Sequence, residues 1–126
     1  METSQNIQET LSSNEIMLNL TDLKKVYPTP NGDYVVLEDL NLYVKKEEFI
    51  TIIGHSGCGK TTMLSMIAGL NEITDGKISI LGSSIKGPGP DRGVIFQSPS
   101  LMPWMTAMEN VMLGVNKVFP HGNKKE

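Results

Sequence analysis

A run of five β-branched and aromatic residues, Phe49-Ile50-Thr51-Ile52-Ile53, leads directly into Gly54-His55-Ser56-Gly57-Cys58-Gly59-Lys60-Thr61-Thr62. Behind it comes Thr62 to Ala68, a helix-forming run without Gly or Pro. Gly54, Gly59, Lys60 and Thr61 match the pattern G-x-x-x-x-G-K-[ST], and the order around them is apolar strand, glycine loop, helix. That order constrains the chain more than any other feature, because it describes a loop whose backbone turns inward around an anion. Gly54, Gly57 and Gly59 are expected to adopt angles that a Cβ would forbid, so that successive N–H groups line a concavity.

The chemistry of the other residues follows. A helix starting near Lys60 points its unpaired N–H groups and the positive end of its dipole at the same anion. Lys60 supplies a point charge for β and γ phosphates. Thr61 offers a hydroxyl of the kind magnesium takes beside phosphate oxygens and water. Thr62, Ser56 and His55 belong to the loop without so specific a role. Cys58 stands beside Lys60 at the helix start, where a thiol is expected to react when the site is empty; a small residue tolerated in the loop is the alternative. The expected ligand is Mg-ATP.

Length and charge narrow the class. With 126 residues the chain is at most one domain, and its net charge of −3 with 20% charged residues gives no nucleic-acid footprint. The apolar runs are far shorter than the roughly 20 residues that cross a bilayer. Residues 1–15 hold no Lys or Arg and no apolar core, so they read as a polar arm and not as a leader peptide. One cysteine cannot form an internal disulfide.

Along the chain, Ile16 to Val26 alternates in part and predicts an opening strand, broken by Pro28, Pro30, Asn31 and Gly32. Tyr34 to Leu37 and Leu40 to Val44 predict a second, interrupted strand. Phe49 to Ile53 is expected as a buried strand, Lys77 to Leu81 as an alternating one, and Gly93 to Phe96 as another short apolar one. Thr106-Ala107-Met108-Glu109 has the form of a capping box, followed by Met108, Val111, Met112 and Val115 at helical spacing. From Asn116 to Glu126 a loop or tail is expected, leaving 16–115 as the folded portion.

Taken together, Leu20 to Val115 resembles the first half of an ATP-binding cassette subunit of a transporter. Gly54 to Thr62 looks like the Walker A segment, and Gln97, at the end of Val94-Ile95-Phe96, looks like the glutamine of the Q-loop. The loop, then Gly-Pro-Gly-Pro-Asp-Arg, Val-Ile-Phe-Gln and Leu-Met-Pro-Trp-Met-Thr, is similar to importers of nitrate, nitrite, cyanate, bicarbonate and sulfonates, with the nitrate or cyanate type nearest. The resemblance implies an α/β P-loop NTPase core with an antiparallel β subdomain. Tyr27 lies where the family carries an aromatic that stacks on adenine; packing beneath the Pro-rich turn is the alternative, and Tyr34 a substitute. Lys60 and Gln97 would act on the nucleotide, with Thr61 and Gln97 on magnesium; for Gln97 the alternative is a polar residue closing a strand.

Leu101, Met102, Pro103 and Trp104 would form a docking patch for membrane permease subunits, unless they roof the core. The resemblance further implies a second ATP-binding subunit, an indirect link to a substrate-binding protein, and a peripheral place on the cytoplasmic face of the cell membrane. The signature motif, the Walker B strand with its Asp, the adjoining Glu and the switch His do not occur after Gln97. The chain is therefore expected to be a truncated cassette, and a nucleotide-binding or regulatory protein without turnover stands as the alternative, because phosphoryl transfer needs an oriented nucleophile as well as charge neutralisation.

Overall fold

A computed structural model of the chain describes residues 15–120. They form two compact units, one ending at Pro88 and the other beginning at Gly89. The first unit holds a four-stranded sheet of order β2-β1-β3-β4, made of β1 (Ile16–Thr29), β2 (Gly32–Lys45), β3 (Asp75–Ile80) and β4 (Ser83–Ser84). Every pairing in it is antiparallel. Helix α1 (Lys60–Ile67) completes this unit, and α2 (Ala107–Val118) is the helix of the second.

The opening hairpin is longer and more continuous than its sequence predicts. Pairing runs through Pro28, opposite Asp33, to Thr29 opposite Gly32, which leaves Pro30-Asn31 as the loop. Pro28 is tolerated because β3 pairs with β1 no further along than Lys24, so no neighbouring strand there needs the missing N–H. The interruption expected at Glu38-Asp39 is a distortion within β2 rather than a break. Asp39 has φ 50° and Asp22 φ 46°, and the register shifts on either side of the Leu23–Leu40 pair. Asn41 closes the distortion, its Oδ1 accepting from the Asp22 amide at 2.9 Å and its Nδ2 donating to Asp22 Oδ1 at 3.1 Å.

Two expected strands do not form. Phe49–Ile53 and Gly93–Phe96 have no ladder partner among the described residues. A strand exists through lateral hydrogen bonds, so an apolar run without a neighbour stays irregular. The burial expected for the first run fails for the same reason: Phe49 is 92% and Ile53 91% exposed.

The core of the first unit lies between the sheet and α1. Leu20 and Leu23 of β1, Met63 and Met66 of α1 and Ile78 of β3 are buried together, with Leu37, Leu40 and Ile73 packed against them. Burial of each such side chain is worth roughly 1.5–3 kcal/mol, so this cluster clamps α1, and hence the loop before it, to the hairpin. In the second unit α2 begins with both arms of the expected capping box: Thr106 Oγ1 accepts from the Glu109 amide at 3.2 Å, and Glu109 Oε2 from the Thr106 amide at 2.7 Å. The helix continues through Val118, past the point where a loop is expected, and residues 121–126 of that tail lie outside the described residues, as do 1–14 of the N-terminal arm.

Candidate functional site: the glycine loop and its aromatic neighbour

The loop from Gly54 to Gly59 passes directly into α1, with Gly59 as the N-cap residue. No side chain caps this helix and no acidic residue lies in its first turn. Its leading N–H groups thus carry no competing anion, which suits phosphate.

Two of the three glycines take the expected left-handed backbone. Gly57 has φ 80° and Gly59 φ 96°, a region costly for residues with a Cβ. Gly54 does not share it. A Cβ there would instead stand 2.7 Å from Cys58 Sγ and 3.6 Å from Lys60 Nζ, so the requirement at Gly54 is room inside the loop.

Lys60 organises that interior. Its Nζ donates to the carbonyls of Gly54 and His55, each at 2.6 Å, and lies 3.3 Å from Cys58 Sγ. The ammonium is held by short bonds to neutral carbonyls, for which charged phosphate oxygens would be stronger acceptors. Cys58 is a free, exposed thiol. Thr61 is exposed on the first turn of α1, Thr62 is half-buried, and His55 and Ser56 are exposed on the loop. These residues lie together on the loop and the first turn of α1, where a polyphosphate would find N–H and ammonium donors and a metal the Thr61 hydroxyl. No group of three or more His, Cys, Asp or Glu suited to a metal occurs among the described residues, so a cation here would take most of its oxygens from the nucleotide and water.

Tyr27 stands on β1 beside Lys25. Lys25 and Tyr27 lie two residues apart on β1, across a register irregularity, and their side chains meet. Lys25 pairs with Leu37 and Tyr27 with Tyr34 across the hairpin. Leu37 in turn reaches the loop, since a Cβ on Gly59 would be 2.9 Å from Leu37 Cδ2. Tyr27 and Tyr34 are both exposed, Tyr34 the more so. The Tyr27 hydroxyl accepts from Asn71 Nδ2 at 2.7 Å, and Lys25 Nζ stands 4.8 Å from its ring centroid. Asn71 and Lys25 are residues that sequence reasoning missed, because no local pattern links a lysine on β1 to an asparagine beyond α1. A cleft of about 240 Å3, lined by Met66, Asn71, Ile73, Ile78, Ile85 and Lys86 among others, includes no residue of the Gly54–Gly59 loop.

Gln97 and the Leu101–Trp104 segment belong to the second unit. Gln97 is exposed and follows an irregular, exposed Val94-Ile95-Phe96. Leu101, Met102, Pro103 and Trp104 are exposed, Trp104 at 75%, so within this unit they do not roof a core. Their path is set by Asn110 of α2: its Oδ1 accepts from the Met102 amide at 2.8 Å, and its Nδ2 donates to the carbonyls of Met102, Met105 and Thr106.

Comparison with known proteins decides what this loop belongs to. Residues 37–126 match the family described as ABC transporter. The chain belongs to the ABC transporter family. A bicarbonate transport ATP-binding protein, CmpD, of Synechocystis sp. is 50% identical over 109 residues, covering 86% of this chain and 38% of that protein. A nitrate import ATP-binding protein, NrtD, of Synechococcus elongatus is 48% identical over 102 residues, covering 81% of this chain and 37% of that protein. The chain thus spans about two fifths of the length of the curated relatives it matches.

Solved ABC cassettes agree with the fold. The dimeric structure of a bacterial ABC transporter cassette superposes with a TM-score of 0.74 at 31% identity, covering 87% of this chain and 50% of the other. A second structure, a dimeric post-hydrolysis state of an ATP-binding cassette bound to ADP and Pi, gives a TM-score of 0.72 at 31% identity over the same shares. The α/β cassette core with its antiparallel sheet is therefore the fold of this chain, and the Gly54–Thr62 loop is its Walker A segment.

Proposed function

We propose that this chain is the nucleotide-binding part of an ATPase subunit that drives import of an inorganic anion. The observation that carries the reading is the Lys60 ammonium at the centre of the glycine loop, 2.6 Å from two backbone carbonyls, in front of an uncapped helix N-terminus. Binding exchanges those carbonyls for β- and γ-phosphate oxygens, while the Gly57 to Thr61 amides hold the same phosphates. Thr61 supplies one oxygen to magnesium, whose charge offsets that of the phosphates when bound. Gln97 is a further magnesium ligand in this reading, and Tyr27 is the face against which adenine stacks. The relatives named as bicarbonate and nitrate transport proteins, nearly equal in identity, support an inorganic anion as the cargo. Nitrate or nitrite is the member of that class we assign from the sequence.

In the complete subunit, two cassettes close around ATP and hydrolysis reopens them, which the dimeric cassette structures support. Leu101, Met102, Pro103 and Trp104 form the surface for membrane permease subunits, on the cytoplasmic side. Among the described residues no helix is long and apolar enough to cross a membrane.

The test is calorimetric titration of the chain with Mg-ATP, beside a Lys60→Met variant. Saturable binding by the unmodified chain that falls at least about tenfold in the variant supports the reading, given the strength of charge-assisted bonds to phosphate. Equal binding by both overturns it. Cargo is tested in cells that lack the subunit and regain it, by following nitrate and bicarbonate uptake separately; restored bicarbonate uptake alone would displace nitrate.

A further inference from the structure

The segment that follows α1 is stitched to β1 residue by residue. The Thr74 amide donates to the Lys24 carbonyl at 3.0 Å, and the Val26 amide to Thr74 Oγ1 at 3.0 Å. Lys25 Nζ donates to the Glu72 carbonyl at 2.6 Å, and Asn71 Nδ2 to the Tyr27 hydroxyl at 2.7 Å. Lys25 is only 8% exposed. A buried ammonium must find partners to offset its desolvation, and here they are one carbonyl and the face of the Tyr27 ring. The Tyr27 ring is therefore held at two points, through its hydroxyl and through one face, although the residue itself lies on an exposed part of the hairpin.

Both anchors lead back to the phosphate loop. Asn71 and Glu72 come directly after α1, where the amides of Leu70 and Asn71 donate to the Ser65 carbonyl. The other end of α1 is Lys60, in the loop. One short helix therefore connects the phosphate cradle to the clamp on Tyr27, and Met63 and Met66, buried against Leu20 and Leu23, hold it in place.

We propose that Asn71 and Lys25 are positioning residues for nucleobase recognition: they lock the Tyr27 ring at a set distance and tilt from the Walker A loop. This rests on the reading of Tyr27 as the adenine platform. Purine stacking is stronger on a ring that is already oriented, since an unrestrained side chain loses rotamer freedom on binding. With one face occupied by the Lys25 ammonium, the ring offers its other face to the base. Neither Asn71 nor Lys25 bonds to Lys60, so the proposal places their effect on the base and not on the phosphates.

The experiment compares Mg-ATP with magnesium triphosphate, which has the phosphates but no base, as ligands for the chain and its Tyr27→Ala, Tyr27→Phe, Asn71→Ala and Lys25→Met variants. Tyr27→Ala should weaken Mg-ATP at least about fivefold and leave triphosphate unchanged, as loss of an aromatic–base stack does. Asn71→Ala and Tyr27→Phe should each weaken Mg-ATP about three- to tenfold, the worth of one hydrogen bond. Combined, they should weaken it no further than either alone, because they delete the same bond. Lys25→Met should act in the same direction, again with triphosphate unchanged. If Tyr27→Ala changes neither ligand, the adenine reading itself fails. If Tyr27→Ala selectively weakens Mg-ATP but Asn71→Ala and Tyr27→Phe do not, the positioning role is wrong. Equal losses for both ligands in Asn71→Ala would show that it acts through α1 instead, and would also overturn the proposal.

Discussion

Leu37 of the hairpin and Gly59 of the Walker A loop are in such close register that a Cβ on Gly59 would stand 2.9 Å from Leu37 Cδ2. Gly59 also has φ 96° and is the N-cap of α1. The antiparallel sheet and the phosphate loop thus meet at an atom that glycine lacks. Gly59→Ala has to overcome both the backbone angle, of order 1–3 kcal/mol, and contact with the flexible end of Leu37. We expect lower thermal stability and at least tenfold weaker Mg-ATP binding. The additional change Leu37→Ala relieves the nearest contact, leaving Val36 Cγ1 at 3.2 Å and the angle, so recovery of full affinity in the double variant would show that the angle is not the cause.

Cys58 is exposed and its Sγ lies 3.3 Å from Lys60 Nζ, inside the loop. An adduct on this thiol occupies the space that phosphates need. Alkylation should therefore abolish Mg-ATP binding, and saturating Mg-ATP should slow the labelling. Mass spectrometry of the labelled chain decides it: equal rates with and without nucleotide would separate Cys58 from the site.

Glu109 closes the capping box of α2 through its bond from the Thr106 amide, and that bond, with a smaller effect from the Thr106 side chain, holds its carboxyl below the usual carboxylate value. A group with a depressed folded-state pKa stabilises the fold above its unfolded value and loses that contribution as pH falls through the folded one. Amide exchange at the first turn of α2 should accelerate, relative to the intrinsic rate, as acid protonates Glu109. In Glu109→Gln, which keeps the acceptor without the charge, this acid dependence should disappear. An unchanged acid profile in that variant would assign the effect to another group.

Trp104 is 75% exposed beside the exposed Leu101, on a loop that Asn110 fixes by four hydrogen bonds. Trp104→Glu should prevent co-purification with permease subunits when the subunit is expressed with them. Mg-ATP affinity should stay within about twofold, as a solvent-exposed substitution leaves the phosphate cradle intact. Loss of both properties with loss of helicity would mean that Trp104 supports the fold.

Local chemistry made some parts of the molecule legible. The left-handed turns at Gly57 and Gly59, the start of α1 at Lys60 and the capping box Thr106–Glu109 depend on neighbours within a few positions, and each forms as its residue pattern predicts. Other local expectations failed for local reasons. Gly54 needs space rather than a left-handed angle, and Asp22 and Asp39 bend the hairpin strands without ending them.

The sequence by itself determined the loop-to-helix turn, because the left-handed Gly57 and Gly59, Lys60 and Thr61 are specified by nine consecutive residues and the helix behind them. Tertiary structure decided everything that needs a distant partner. Phe49–Ile53 and Gly93–Phe96 have the composition of strands but lack ladders among the described residues, since a strand is completed only by its neighbours. The same dependence on distance explains Tyr27. Its ring becomes a fixed surface through Asn71, 44 positions away, and through Lys25, whose burial comes from the segment after α1. No local pattern encodes that contact; the chain has to close on itself before it exists.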